Sequence, residues 1–83
     1  MIYPEIQIQT ARPSARLHHH FPGRKREVNK LLHVCVLAQL TGEQTQRLCG
    51  KLIREPQLLD EFLSAQNAGW VEAESFVTRH SLL

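Results

Sequence analysis

The sequence predicts a mainly α-helical fold, with a short N-terminal β-hairpin or extended arm followed by a compact bundle of three to four short helices. Three observations carry this expectation. Apolar residues recur as one stripe of a 3.6-residue period at Leu48, Cys49, Leu52 and Ile53, and again at Leu58, Leu59, Phe62 and Leu63. Thr41, followed three residues on by Gln44, has the pattern of a reciprocal helix cap. Alternation of period two is confined to the first quarter of the chain.

Taken in order, Glu5 to Thr10 alternates Ile6 and Ile8 with Gln7 and Gln9, as a half-buried strand does, and Pro4 suits its start. Pro13 marks a turn. Ala15 to Phe21 alternates less cleanly and reads as a second strand that closes a hairpin. Pro22-Gly23 breaks the pattern. A helix is expected from about Glu27 to Leu40. Val28, Leu31, Leu32, Cys35 and Ala38 form its stripe, and Val34, Val36, Leu37 and Leu40 spread apolar surface nearly all round. A helix so apolar is central in its fold or covered by a partner.

The capped helix then runs from about Gly42 to Arg54. Gly50 within it lowers helix stability by about 1 kcal/mol relative to Ala and offers a close approach to another helix. Glu55-Pro56 opens a third helix that ends at Asn67 to Gly69. A fourth, from Trp70 to about Thr78, is expected to bury Trp70, Val71, Phe76 and Val77, with Trp70 and Phe76 close enough to the rim to contact a partner. Ser81 to Leu83 is expected to fray. The chain divides into a basic arm, 1–26, and a helical domain, 27–83.

Eighty-three residues make one domain near the lower size limit for folding alone, so a partner or a second copy is a natural source of further stability. The net charge of +2 is unevenly spread. Residues 1–42 hold Arg12, Arg16, Arg24, Lys25, Arg26 and Lys30 against Glu5 and Glu27, whereas acids exceed bases in residues 43–83. Such a charge dipole fits an anionic partner at the N-terminal end or head-to-tail self-contacts. Two cysteines, Cys35 and Cys49, in apolar helical surroundings fit buried reduced thiols and a cytoplasmic setting. The N-terminus lacks the form of a signal peptide, and the longest apolar run, Val34 to Ala38, is too short to span a bilayer.

Chemistry finds little support. There are no paired carboxylates in a recognisable cleft, no glycine-rich phosphate loop and no Ser/His/Asp set. His18, His19 and His20 lack metal-ligand spacing with any Cys or His, and on a strand only His18 and His20 share a side. His33 lies about 200° around its helix from Cys35, the wrong geometry for a base beside a nucleophile. No enzyme activity, cofactor, metal or small-molecule substrate is expected. The tandem helices 42–54 and 56–66 suggest a helix–turn–helix, but the second carries Asp60 and Glu61 and no Lys or Arg, which suits DNA poorly. No stretch matches a known family closely enough to name one.

The sequence therefore points to a small non-catalytic protein-interaction module, an adaptor, inhibitor or assembly factor. Its partner, or a second copy in a homodimer, would be met through Val34, Val36, Leu37, Leu40 and Trp70. The alternative is a nucleic-acid-binding regulator that uses Arg12, Arg16, Arg24, Lys25, Arg26 and Lys30.

Overall fold

A computed structural model describes residues 15–82. The expected strand Glu5 to Thr10, the turn at Pro13, Arg12 and Leu83 lie outside them. Every regular element among the described residues is helical: α1 (15–20), α2 (Lys25–Leu37), α3 (Gly42–Arg54), α4 (Gln57–Ala68) and α5 (Trp70–His80). The expected second strand is thus corrected to a helix. The Phe21 N–H donates to the Leu17 carbonyl at 3.0 Å, a helical bond four residues back. Leu17 and Phe21 both enter the core, while Arg16 and His19 face solvent. Residues four apart share a face in a strand and nearly share one in a helix, so the alternation had two readings. Core contact on one side of α1 decides between them. Gly23, at φ 84°, then reverses the chain, a left-handed conformation that a side chain resists.

Helix α2 begins two residues earlier than expected, with Arg24 at its cap and Lys25 and Arg26 in its first turn. It closes in a Schellman motif. The Gln39 N–H donates to the Val36 carbonyl at 2.9 Å, and the Leu40 N–H to the Cys35 carbonyl at 3.0 Å. Gln39 occupies the left-handed position at φ 63°, where glycine is usual. Leu40 folds back to pack against the core, completing the apolar clasp of that motif.

Thr41 caps α3 as the sequence indicated. Its Oγ1 accepts from the Gln44 N–H at 3.0 Å, and the Gln44 Oε1 accepts from the Thr41 N–H at 2.8 Å. Glu55 and Pro56 join α3 to α4, and Gly69 alone separates α4 from α5. Gly69 stands at φ 135°, which leaves α5 free to set off in a new direction. Helices α4 and α5 pack on each other, and each also contacts α2 and α3. The end of α5 is tied down rather than frayed. Ser81 is fully buried, its Oγ donating to the Thr78 carbonyl at 2.9 Å.

Between the helices lies one apolar cluster, running from Leu17 and Phe21 through Val28, Leu31, Val34 and Cys35 to Leu48, Cys49 and Leu52. It continues through Leu58, Leu59 and Phe62 to Ala73, Phe76 and Val77. The stripes predicted for α3 and α4 point inward. In α5 the expectation is only half met. Phe76 and Val77 are buried, but Trp70 and Val71 are exposed and Ala73 takes their place. The inward stripe is Ala73, Phe76, Val77 and His80, with His80 packed on Phe76 at a centroid distance of 4.4 Å. Burial, with the nearby Lys51 and Arg79, pushes the His80 imidazole below its ordinary value.

Gly50 does not serve a close helix contact. A Cβ built there meets only the Arg54 Nη1, at 3.7 Å. Gly50→Ala is therefore expected to raise stability by about 0.5–1 kcal/mol through helix propensity, seen as a higher urea midpoint at an unchanged slope.

Candidate functional site

Large exposed apolar residues are few among the described residues. They are Val36 and Leu37 at the end of α2, Trp70 and Val71 at the start of α5, and Leu82. The fold brings one member of each of the first two pairs together. Leu37 and Trp70 line one groove of about 380 Å³, with Val34 at its floor. Leu37 is 55% exposed and Trp70 45%, which is high for side chains of this size.

One wall of the groove is a single face of α2. Arg26, Asn29, Lys30, His33 and Leu37 follow one another at helical spacing along about 16 Å of axis. The opposite wall is neutral, formed by Gln66 near the end of α4 and Trp70 just beyond Gly69. Among the described residues, no carboxylate lines the groove. Arg26 and Lys30 are exposed, and neither forms an ion pair among the described residues.

The residues expected to meet a partner are thus divided. Leu37 and Trp70 are at the groove. Val36 is 73% exposed but points about 100° away from Leu37 around α2, onto an adjoining face. Val34 is core at 5% exposure and offers the groove only its edge, and Leu40 is engaged in the α2 clasp. Phe76 is buried against Phe62 and unavailable to a partner.

The basic residues are also divided. Arg24 donates to the Asp60 carboxylate at 2.8 Å, joining the start of α2 to α4 across a rim-exposed pair worth at most about 1 kcal/mol. Arg16, Lys25, Arg26 and Lys30 are exposed. Lys25 and Arg26 share an open depression with Gly23, Glu27 and Asn29, so an acid already sits among them.

Among the described residues, no group of three or more His, Cys, Asp or Glu gathers closely enough to hold a metal ion. On α1, His18 and His20 fall on different sides rather than on one strand face. The His18 Nε2 hydrogen-bonds the Asn29 Oδ1 at 3.0 Å, and His20 packs edge-on against Phe21. Both cysteines are free and buried. Burial pushes the Cys35 thiol up to about 12, with Cys49 beside it adding to the rise. Burial likewise lifts Cys49 to about 11, against a partial pull from the Arg16 guanidinium. Both therefore stay protonated at neutral pH and are poor nucleophiles. No described helix is long and apolar enough to cross a membrane.

No protein-family model matches the chain, and no curated protein or solved structure is detectably similar to it. The reading of the groove rests on its own chemistry. Sequence reasoning named Leu37, Trp70, Arg26 and Lys30 but assigned them to two rival surfaces. It missed His33, Asn29 and Gln66 as groove residues. The local signal was present in the 26–30–33–37 spacing, whereas the neutral wall opposite required the path of the chain at Gly69.

Proposed function

We propose that this chain is a small non-catalytic protein-interaction module that docks a segment of a partner protein in the groove between α2 and the α4–α5 junction. The observation that carries this reading is the pair Leu37 and Trp70, half-exposed and facing one groove with an apolar floor. Tryptophan and arginine are the residues most enriched among the few that dominate interface energy, and here Arg26 lies on the same groove. Adaptor, inhibitor and assembly-factor roles all use such a site. Two buried thiols kept reduced fit work in the cytoplasm.

Peptides selected from a random display library on the wild-type protein test this directly. Leu37→Glu places a charge on an already exposed position, so the fold is retained, as circular dichroism would verify. Selected peptides are expected to lose at least tenfold in affinity on Leu37→Glu, about 1.4 kcal/mol or more. Peptides that bind both proteins equally would remove the groove as the site. Wild-type dimers in sedimentation equilibrium that become monomers on Leu37→Glu would make a second copy the occupant.

Nucleic-acid binding is the second reading, favoured by the exposure of Arg16, Lys25, Arg26 and Lys30. It is weakened by the loss of Arg24 to Asp60 and by Glu27 among the remaining bases. Anisotropy of labelled mixed-sequence DNA and RNA between about 50 and 200 mM salt separates the two, since phosphate contacts weaken steeply over that range.

A further inference from the structure

We propose that the groove takes an amphipathic helix with an acidic flank, supplied by the partner protein. This deepens the reading above and rests on it. Three features of the groove select that occupant.

The first is charge. Arg26 and Lys30 lie on one wall, one helical turn apart, with His33 next along the same face. None of the groove's described lining residues is acidic, and the opposite wall of Gln66 and Trp70 is neutral. A bound segment therefore meets positive potential on one side only. Carboxylates spaced four residues apart on a helix match the spacing of Arg26 and Lys30.

The second is the backbone. An extended peptide gains affinity by adding a strand to an exposed sheet edge, and the described residues contain no strand to extend. A helix satisfies its own backbone and needs from the groove only apolar contact, which Val34, Leu37 and Trp70 provide.

The third is what the anchors are. Leu37 and Val34 are aliphatic, and a base cannot stack on them. Among the groove's described lining residues, Trp70 is the one large aromatic side chain, with only the His33 imidazole beside it, where sequence-tolerant binding of single strands uses several. A second copy of this chain fits less well: its acidic helix α4 buries its apolar stripe in its own core, and Trp70 at the start of α5, exposed beside Glu72, already belongs to the groove that copy would have to fill.

Trp70 is the chain's single tryptophan, so its fluorescence reports on this site alone. The probes are three synthetic helical peptides of about 18 residues, or five turns. They lack Trp and Tyr and share a leucine face, flanked by Glu, Gln or Lys. The Glu peptide is expected to shift Trp70 emission to the blue, as the indole leaves water. It should bind at least tenfold tighter than the Gln peptide and weaken as salt rises. In Arg26→Glu/Lys30→Glu, both positions are exposed, and an acid in the first turn of α2 suits the helix dipole, so the fold holds. That variant is expected to lose the Glu peptide at least tenfold and to prefer the Lys peptide.

Equal binding of all three peptides, abolished by Leu37→Glu, would overturn the acidic preference and leave the groove standing. Failure of all three to move Trp70 would overturn the helical occupant, and the display selection would then decide the groove by itself. Stronger quenching of Trp70 by a thymidine oligonucleotide than by any peptide would overturn the proposal in favour of nucleic acid.

Discussion

Phe62→Ala is expected to destabilise the protein by about 3–5 kcal/mol, the range for removing a fully buried aromatic ring from a packed core. Phe62 has no exposed surface, lies on the inward face of α4 and packs on Phe76 of α5 at a centroid distance of 5.8 Å. Helices α4 and α5 both reach α2 and α3, so the cavity opens where four helices meet and none of them closes it alone. A chain of 83 residues has, at typical values, about 4–12 kcal/mol of stability in all. The variant should be largely unfolded at the lower end of that range and should lose a large part of its denaturant midpoint at the upper end. Chemical denaturation followed by circular dichroism measures it. A loss below about 1 kcal/mol would mean that the α4–α5 interface is not the packed centre described above.

Leu17→Ala carries the second large effect, about 2–5 kcal/mol, and tests the element that departs furthest from expectation. Leu17 is fully buried although it lies in the stretch that alternation assigned to a hairpin. Packed as described, α1 contributes a full core residue, and its truncation should lower the melting temperature by more than about 8 °C for a domain of this size. A hairpin resting loosely on the helices would tolerate the change with a shift of a few degrees at most. His19→Ala, on the exposed side of α1, is the matched control and should be near neutral.

The helical core was largely legible in the sequence, for a local reason. In α3 and α4 the apolar stripe, the Thr41–Gln44 cap and the breaks at Pro56 and Gly69 all agree, and each signal lies within a few residues. The stripe of α5 is misphased in the sequence because one of its inward positions is the small Ala73, a weaker apolar signal than neighbouring Trp70 and Val71. Ala73 holds the inward position between Gly69 and Phe76, and Trp70 and Val71 are turned outward by the direction in which Gly69 releases the helix. At α1 the ambiguity was intrinsic, since Leu17 and Phe21 suit either period. The candidate groove was half legible. Its basic wall and Leu37 are written along α2 at regular spacing, but Trp70 and Gln66 reach it only through the turn of the chain at Gly69. Arg24 looked equivalent to Arg26 in sequence, and only the placement of Asp60 on α4 separates them.

The two sealed cysteines have a use beyond packing. Screened and protonated in the closed protein, they can be alkylated only during excursions that uncover them, so their labelling rates time those openings. One belongs to α2 and the other to α3, which makes them separate clocks in a single molecule. Equal rates would describe a fold that lets go in one cooperative event. Unequal rates would show that one helix breathes while its neighbour stays shut, and would name it.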